Sequence, residues 1–121
     1  MTNLTQSTKE FKPEVMKRAA EIAYPEYEWR LGHNFASHFS DQQEKIPVGW
    51  LKGSFIYFKL FSNDTDWVNL REGLEMKGVH IRCDSAREEY YCTREDTGFK
   101  ELYDKCPRTL AYKIVEVICS V

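Results

Sequence analysis

The sequence predicts an α+β fold: an antiparallel sheet of about four to five strands packed by two to three helices in a layered sandwich. Three observations predict it. Apolar residues recur at helical spacing in three separate stretches, short alternating segments lie between them, and Pro or Gly stands at several of the boundaries. The order is helix, strand, strand or hairpin, helix, hairpin, helix.

Residues 1–8 are polar, without a packing pattern, and are expected to be flexible. From Phe11 to Tyr24, Phe11, Val15, Ala19, Ile22 and Ala23 form a helical stripe. Pro13 suits its first turn, where a missing N–H costs nothing, and Pro25 stops it by disfavouring helical backbone at Tyr24. Tyr27, Trp29 and Leu31 then alternate with charged residues, the period of a half-buried strand. Residues 32–47 read as a long polar loop.

From Val48 to Phe61 the chain is apolar and aromatic, broken by Lys52-Gly53, which predicts two strands around a tight turn or one bent strand. Ile56, Phe58 and Leu60 share one face and Phe55, Tyr57 and Phe61 the other, so the segment reads as a central strand or as one whose second face is covered by a helix or a partner. Ser62 to Asp66 is rich in residues that cap helix starts. Trp67, Leu70 and Leu74 continue as a stripe, and Gly78 supplies a left-handed stop. Val79, Ile81 and Cys83 alternate with polar residues, and residues 88–94 return as the hairpin partner. Pro107 opens a last helix whose stripe runs from Leu110 through Ala111, Ile114, Val115 and Ile118 to Cys119.

The chain of 121 residues fits one domain spanning 1–121. Its net charge of −2 provides no overall field toward phosphate backbones or anionic lipid, so direct nucleic-acid binding is not expected. With no apolar run of membrane-spanning length and no signal-peptide core, the expectation is a cytoplasmic protein, and the four cysteines are expected as reduced thiols.

Catalytic signatures are absent: there is no phosphate-binding glycine loop, no metalloprotease helix motif and no nucleophile elbow. His80-x-x-Cys83 lacks the ligand spacing of a zinc site, and His33 and His38 beside Asp41 lack the i, i+4 spacing that sets two ligands on one helical face. Helix capping accounts for Asp64-x-Asp66 more simply than a divalent cation does. Cys106, before Pro107, is placed where a helix start lowers a thiol pKa, but reads as a capping or buried residue. Neither an enzyme nor a cofactor or metal is expected.

Seventeen aromatics are more than packing alone needs, and Tyr and Trp carry interface energy well. Trp50, Tyr57, Tyr90 and Tyr91 lie where a sheet face or edge presents them to a partner, with filling of the core as the competing reading. Asp84, Glu88, Glu89, Glu95 and Asp96 cluster around the predicted hairpin as an acidic rim that would dock on a basic groove, with a solvated surface as the alternative. Arg82, Arg87 and Arg94, interleaved with those acids and beside Tyr91, are residue types that clamp phosphate and stack on a base.

Three stretches carry a family resemblance: Ala19-Ala-Glu-Ile-Ala-Tyr-Pro-Glu-Tyr-Glu-Trp29, Asn63-Asp-Thr-Asp-Trp-Val-Asn-Leu continuing to Gly78-Val-His-Ile81, and Asp104-Lys-Cys-Pro-Arg-Thr-Leu-Ala-Tyr112. Together they resemble the small phage and prophage proteins of the phage ABA-sandwich type. The chain departs from that pattern in its 32–47 insertion and its aromatic 48–61 stretch. The resemblance implies a phage accessory protein. The function expected from it, with the missing catalytic motifs and the aromatic surplus, is non-catalytic inhibition of a host protein. The target class is a bacterial defence component such as a CRISPR effector, occluded by a sheet face and the acidic hairpin. The alternative is a nucleotide-ligand binder that sequesters a defence signal through Arg82, Arg87, Arg94 and Tyr91, and the third reading is a DNA-binding regulator. An open sheet edge would also admit a homodimer.

Overall fold

A computed structural model describes residues 11–33, 45–96 and 100–119. The expected flexible residues 1–8, the centre of the expected 32–47 loop and its His38 and Asp41 lie outside the described residues, as does the side chain of His33.

The class is α+β. Helix α1 spans Pro13–Ala23, with Pro13 in its first turn and Tyr24 at its C-cap. Strands β1 (Glu28–His33), β2 (Lys45–Leu51) and β3 (Ser54–Tyr57) form one antiparallel sheet in the order β1-β2-β3. Helix α2 spans Asp64–Met76. Strands β4 (Val79–Asp84), β5 (Glu89–Arg94) and β6 (Lys100–Asp104) form a second antiparallel sheet in the order β4-β5-β6. Helix α3 runs Pro107–Ile114 and continues as a π-helical turn, Val115–Cys119, whose last carbonyl accepts a hydrogen bond from Arg18 Nε at 3.2 Å.

The expectation of a single sheet of four to five strands is therefore corrected to two sheets of three. Among the described residues no strand of one sheet touches a strand of the other; α1 packs on β1 and β2, α3 packs on all three strands of the second sheet, and α1, α2 and α3 pack on one another. Alternation predicts which residues form strands, but pairing is a long-range outcome that local periodicity does not encode.

Two boundaries also move. The expected loop 32–47 begins and ends in strand: Gly32 pairs with Ile46, His33 with Lys45 and Leu31 with Pro47. Pro47 and Gly49 hide β2 from a sequence reading, because both weaken a strand pattern. Strand β6 has no alternation signal, since Leu102 forms a bulge: the register shifts between Tyr91 and Cys92, and Leu102 has φ of 48° and packs against the core.

Small inward residues set the spacing of the first sheet and the helices. Trp29 lies opposite Gly49, and a Cβ at position 49 would meet the Trp29 ring at 2.8 Å. Behind it, Ala19 and Ala20 are fully buried on α1. Gly73 has the same role between helices, where a Cβ would meet the Ile22 carbonyl oxygen at 2.5 Å. The chain leaves β3 by sending Phe58 and Leu60 into this core, where both are buried.

Asp66 is the one buried charged residue among those described, 4% exposed. It does not cap α2, the role expected of it; Asn63 does, accepting from Asp66 N at 3.0 Å. The Asp66 carboxylate instead accepts from Tyr24 Oη at 2.6 Å and from Lys59 N at 2.8 Å, while Asn69 Nδ2 donates to Tyr24 Oη at 3.0 Å. Asp64 is exposed and pairs with Arg108 of α3, which also donates to the Leu60 carbonyl at 3.0 Å.

Two outcomes follow from this packing. Gly49→Ala forces a buried indole to move, and denaturant unfolding should record a loss of about 1–3 kcal/mol, as for overpacked cores. Burial, then the hydrogen bond to Asp66, pushes the Tyr24 hydroxyl from 10.0 up to about 12. The folded chain holds that proton more tightly than the unfolded chain, so the contribution is whole below about pH 10 and is lost as pH rises toward about 12. Tyr24→Phe should cost about 1.5–3 kcal/mol at neutral pH, the range for a hydrogen bond to a charged group, and the alkaline loss of stability should be smaller in this variant than in the wild type.

Candidate interaction surface

The β2–β3 hairpin turns at Lys52 and Gly53, both with positive φ (52° and 85°), the geometry of a two-residue turn that matches strand twist. Its register pairs Trp50 with Phe55 and Val48 with Tyr57, so these four side chains share one face of the sheet. The opposite face carries Pro47, Gly49 and Ile56 toward α1 or alongside the core.

Three of the side chains on that outer face are exposed. Trp50 is 45% exposed, Phe55 49% and Tyr57 36%. Strand β2 is central in its sheet, as expected for part of this segment, whereas β3 is an edge strand among the described residues and carries two exposed aromatic side chains, with no helix packed on it. The rings contact one another, with centroids 5.1 Å apart for Trp50 and Phe55 and 5.6 Å for Phe55 and Tyr57, and Lys59 Nζ lies 5.9 Å from the Tyr57 ring centre. Glu28 and Arg30, which pair across the sheet with Trp50 and Val48, form an exposed ion pair at 2.7 Å beside the rings. Of the expected partner-binding residues, Trp50 and Tyr57 belong here; Phe55 joins them through the strand register.

The acidic residues are divided. Asp84, Glu88 and Glu89 lie at the turn of the β4–β5 hairpin, whereas Glu95 and Asp96 lie at its far end, beyond β5. Six paired residues of strand separate the two groups by roughly 20 Å. Most are also engaged: Asp84 Oδ1 accepts from Ala86 N at 3.2 Å and Arg87 N at 3.3 Å, Glu89 pairs with Arg87 at 3.3 Å, Glu95 with His80 at 2.9 Å and Asp96 with Arg94 at 3.6 Å. Glu88 is exposed in the turn with φ of 55°. A single acidic rim is thus corrected to two separated groups, each with one arginine ion pair, on a different sheet from Trp50 and Tyr57. Tyr90, expected at the surface, is half-buried against the core, because its strand parity places it on the helix-covered face with Cys92.

The expected ligand set divides as well. Arg82 pairs with Tyr91, which pairs with Tyr103, and all three share the outer face of the second sheet. The Tyr91 and Tyr103 rings are 6.0 Å apart, and the Arg87 guanidinium lies 4.6 Å from the Tyr103 ring centre. Arg94 points to the opposite face and lines a cavity of about 440 Å³ with Arg18, Lys77, Glu95, Asp96 and Cys119. Charges of both signs line it, and Arg18 and Arg94 already pair with Glu21 and Asp96.

His80 and Cys83 project from opposite faces of β4, so they do not converge on one ion. Among the described residues no three of His, Cys, Asp and Glu gather as a metal site, and no helix is long and apolar enough to cross a membrane. The four thiols are not joined as disulfides. Burial pushes the half-buried Cys119 thiol up, against the opposing charges of Lys77, Arg18 and Arg94. For the exposed Cys106 thiol burial acts upward too, but Thr109, through its hydroxyl and N–H, and the N–H of Arg108 more than offset it and bring the thiol below its ordinary value. No family model, curated protein or solved structure matches the chain.

Alkylation of the native protein followed by peptide mass mapping should therefore label Cys106 ahead of Cys119 and of the buried Cys92. Equal labelling of Cys106 and Cys119 across the pH range would contradict the helix-start effect.

Proposed function

We propose that this protein acts by contact, as a non-catalytic binding protein whose partner-facing surface is the outer face of the first sheet. The observation that carries this reading is the bare aromatic trio Trp50, Phe55 and Tyr57 on a two-strand hairpin whose opposite face is anchored by Trp29, Phe58 and α1. Large rings on a rigid element lose little side-chain entropy on binding, which is why such residues dominate interface energetics. The resemblance to small phage proteins supplies the partner class: a host protein, with a bacterial defence effector such as a CRISPR component as the target, inhibited by occlusion of a working surface. Because the acidic residues lie on the other sheet and are divided between the two ends of its hairpin, the occluding surface is assigned to the aromatic face alone.

The Arg82, Arg87, Tyr91 and Tyr103 cluster favours a second reading, binding of a phosphorylated nucleotide signal. It brings two guanidinium groups beside two rings, and Arg82 has no ion-pair partner among the described residues. A thermal-shift screen with cyclic nucleotides tests it: a rise in Tm lost in Arg82→Ala supports it, and no rise removes it.

Comparative capture from a host lysate tests the first reading. Trp50→Ala with Phe55→Ser should abolish retention of a protein held by the wild type, leaving Tm within a few degrees, whereas Glu88→Lys with Glu89→Lys should leave retention intact. Equal retention by the aromatic variant, or loss only in the hairpin variant, would move the interface elsewhere.

A further inference from the structure

The aromatic face ends at an open backbone edge. Phe58 N donates to the Pro47 carbonyl at 3.1 Å, which fixes the phase of the antiparallel ladder: positions 54, 56 and 58 bond to β2. The N–H and C=O groups of Phe55 and Tyr57 consequently face away from β2. Among the described residues β3 packs on no element besides β2, so these groups meet no strand on that side. The residues with outward backbone groups are the same two whose rings are bare.

The charge beside this edge has one sign. Residues 45–63 contain three lysines, Lys45, Lys52 and Lys59, and no Asp or Glu, in a chain whose net charge is −2. Lys52 and Lys59 bracket β3 at its two ends, both exposed and neither ion-paired among the described residues. The nearby Arg30 is matched by Glu28. Lysines at the ends of a short edge strand oppose pairing with a second copy: a two-fold pairing centred on Ile56 would bring the Lys52 end of one copy to the Lys59 end of the other. The same charges attract a carboxylate-bearing strand.

We infer that β3 receives an extended acidic segment of a partner protein by strand addition, with backbone bonds to Phe55 and Tyr57, apolar side chains on the Trp50, Phe55 and Tyr57 rings, and carboxylates near Lys52 and Lys59. This inference rests on the aromatic-face reading and specifies its partner. Backbone pairing supplies affinity in such complexes, and alternate side chains supply selectivity. The segment must present unpaired N–H and C=O groups, so it comes from a loop, a terminus or a sheet edge of the partner, not from a helix.

The experiment is panning of a displayed random dodecapeptide library on the full chain, followed by synthesis of the enriched peptides. Expected sequences alternate apolar and acidic residues. N-methylation of the peptide at every second position should weaken binding roughly tenfold or more in one phase and little in the other, the signature of a lost backbone hydrogen bond. Bound peptide should slow amide exchange at Phe55 and Tyr57. Lys52→Glu with Lys59→Glu, both exposed, should reverse the preference toward basic peptides.

Peptides that bind regardless of N-methylation, but are lost with Phe55→Ser, would overturn strand addition and leave the aromatic face standing. Peptides unaffected by Trp50→Ala with Phe55→Ser would overturn both. Enrichment of basic or helical peptides, or no enrichment above that on the aromatic variant, would overturn the inference. Tighter binding of oligothymidylate than of any peptide at these residues would replace the protein partner with a single-stranded nucleic acid.

Discussion

The buried carboxylate of Asp66 imposes a requirement that fixes much of this molecule. A charge removed from water needs donors, and those present come from two distant pieces of chain: the Tyr24 hydroxyl at the end of α1 and the Lys59 N–H just after β3. Meeting that requirement ties the last turn of α1, the exit from the first sheet and the first turn of α2 to one point. Tyr24 extends the tie through its carbonyl, which accepts from Tyr27 N at 3.2 Å and from Trp29 Nε1 at 3.0 Å. The orientation of Trp29 over Gly49, and hence of the first sheet on α1, follows from this arrangement.

The exposed aromatic face depends on the same anchorage. With Lys59 held by Asp66 and Phe58 drawn into the core, β3 ends at Tyr57 and, among the described residues, packs on no element besides β2. Its outward backbone groups and its rings are therefore left open together. Lys52 and Lys59, exposed at the two ends of this short strand, give its edge a positive character in a chain whose net charge is −2.

Much of the fold was legible locally. Pro13, Pro25, Gly78 and Pro107 mark helix boundaries because each constrains φ or hydrogen bonding within a residue or two, and the stripes of Val15, Ala19 and Ile22 or Leu70 and Leu74 do face the core. Alternation also grouped Phe55 with Tyr57. It did not join Trp50 to them, because that contact comes from the register of the hairpin, and it misplaced Tyr90, because parity within a strand does not say which face a helix will cover. The acids near the β4–β5 hairpin look like one cluster in sequence, yet a hairpin sends its turn and its far end in opposite directions.

The sequence by itself determined the α+β class, the helical stripes and their boundary residues, a break in the strand pattern at Lys52-Gly53, and the excess of aromatic and cationic side chains in residues 45–63. These are properties of neighbouring residues, written in propensity, spacing and composition. Tertiary structure alone decided that the strands divide into two sheets, that Asp66 is buried while Asp64 is exposed, that Arg94 parts from Arg82 and Arg87, and that Trp50, Phe55 and Tyr57 are exposed together. Each of those outcomes depends on which distant segments meet, and the free energy of such a meeting belongs to the pair of surfaces, not to either stretch of sequence.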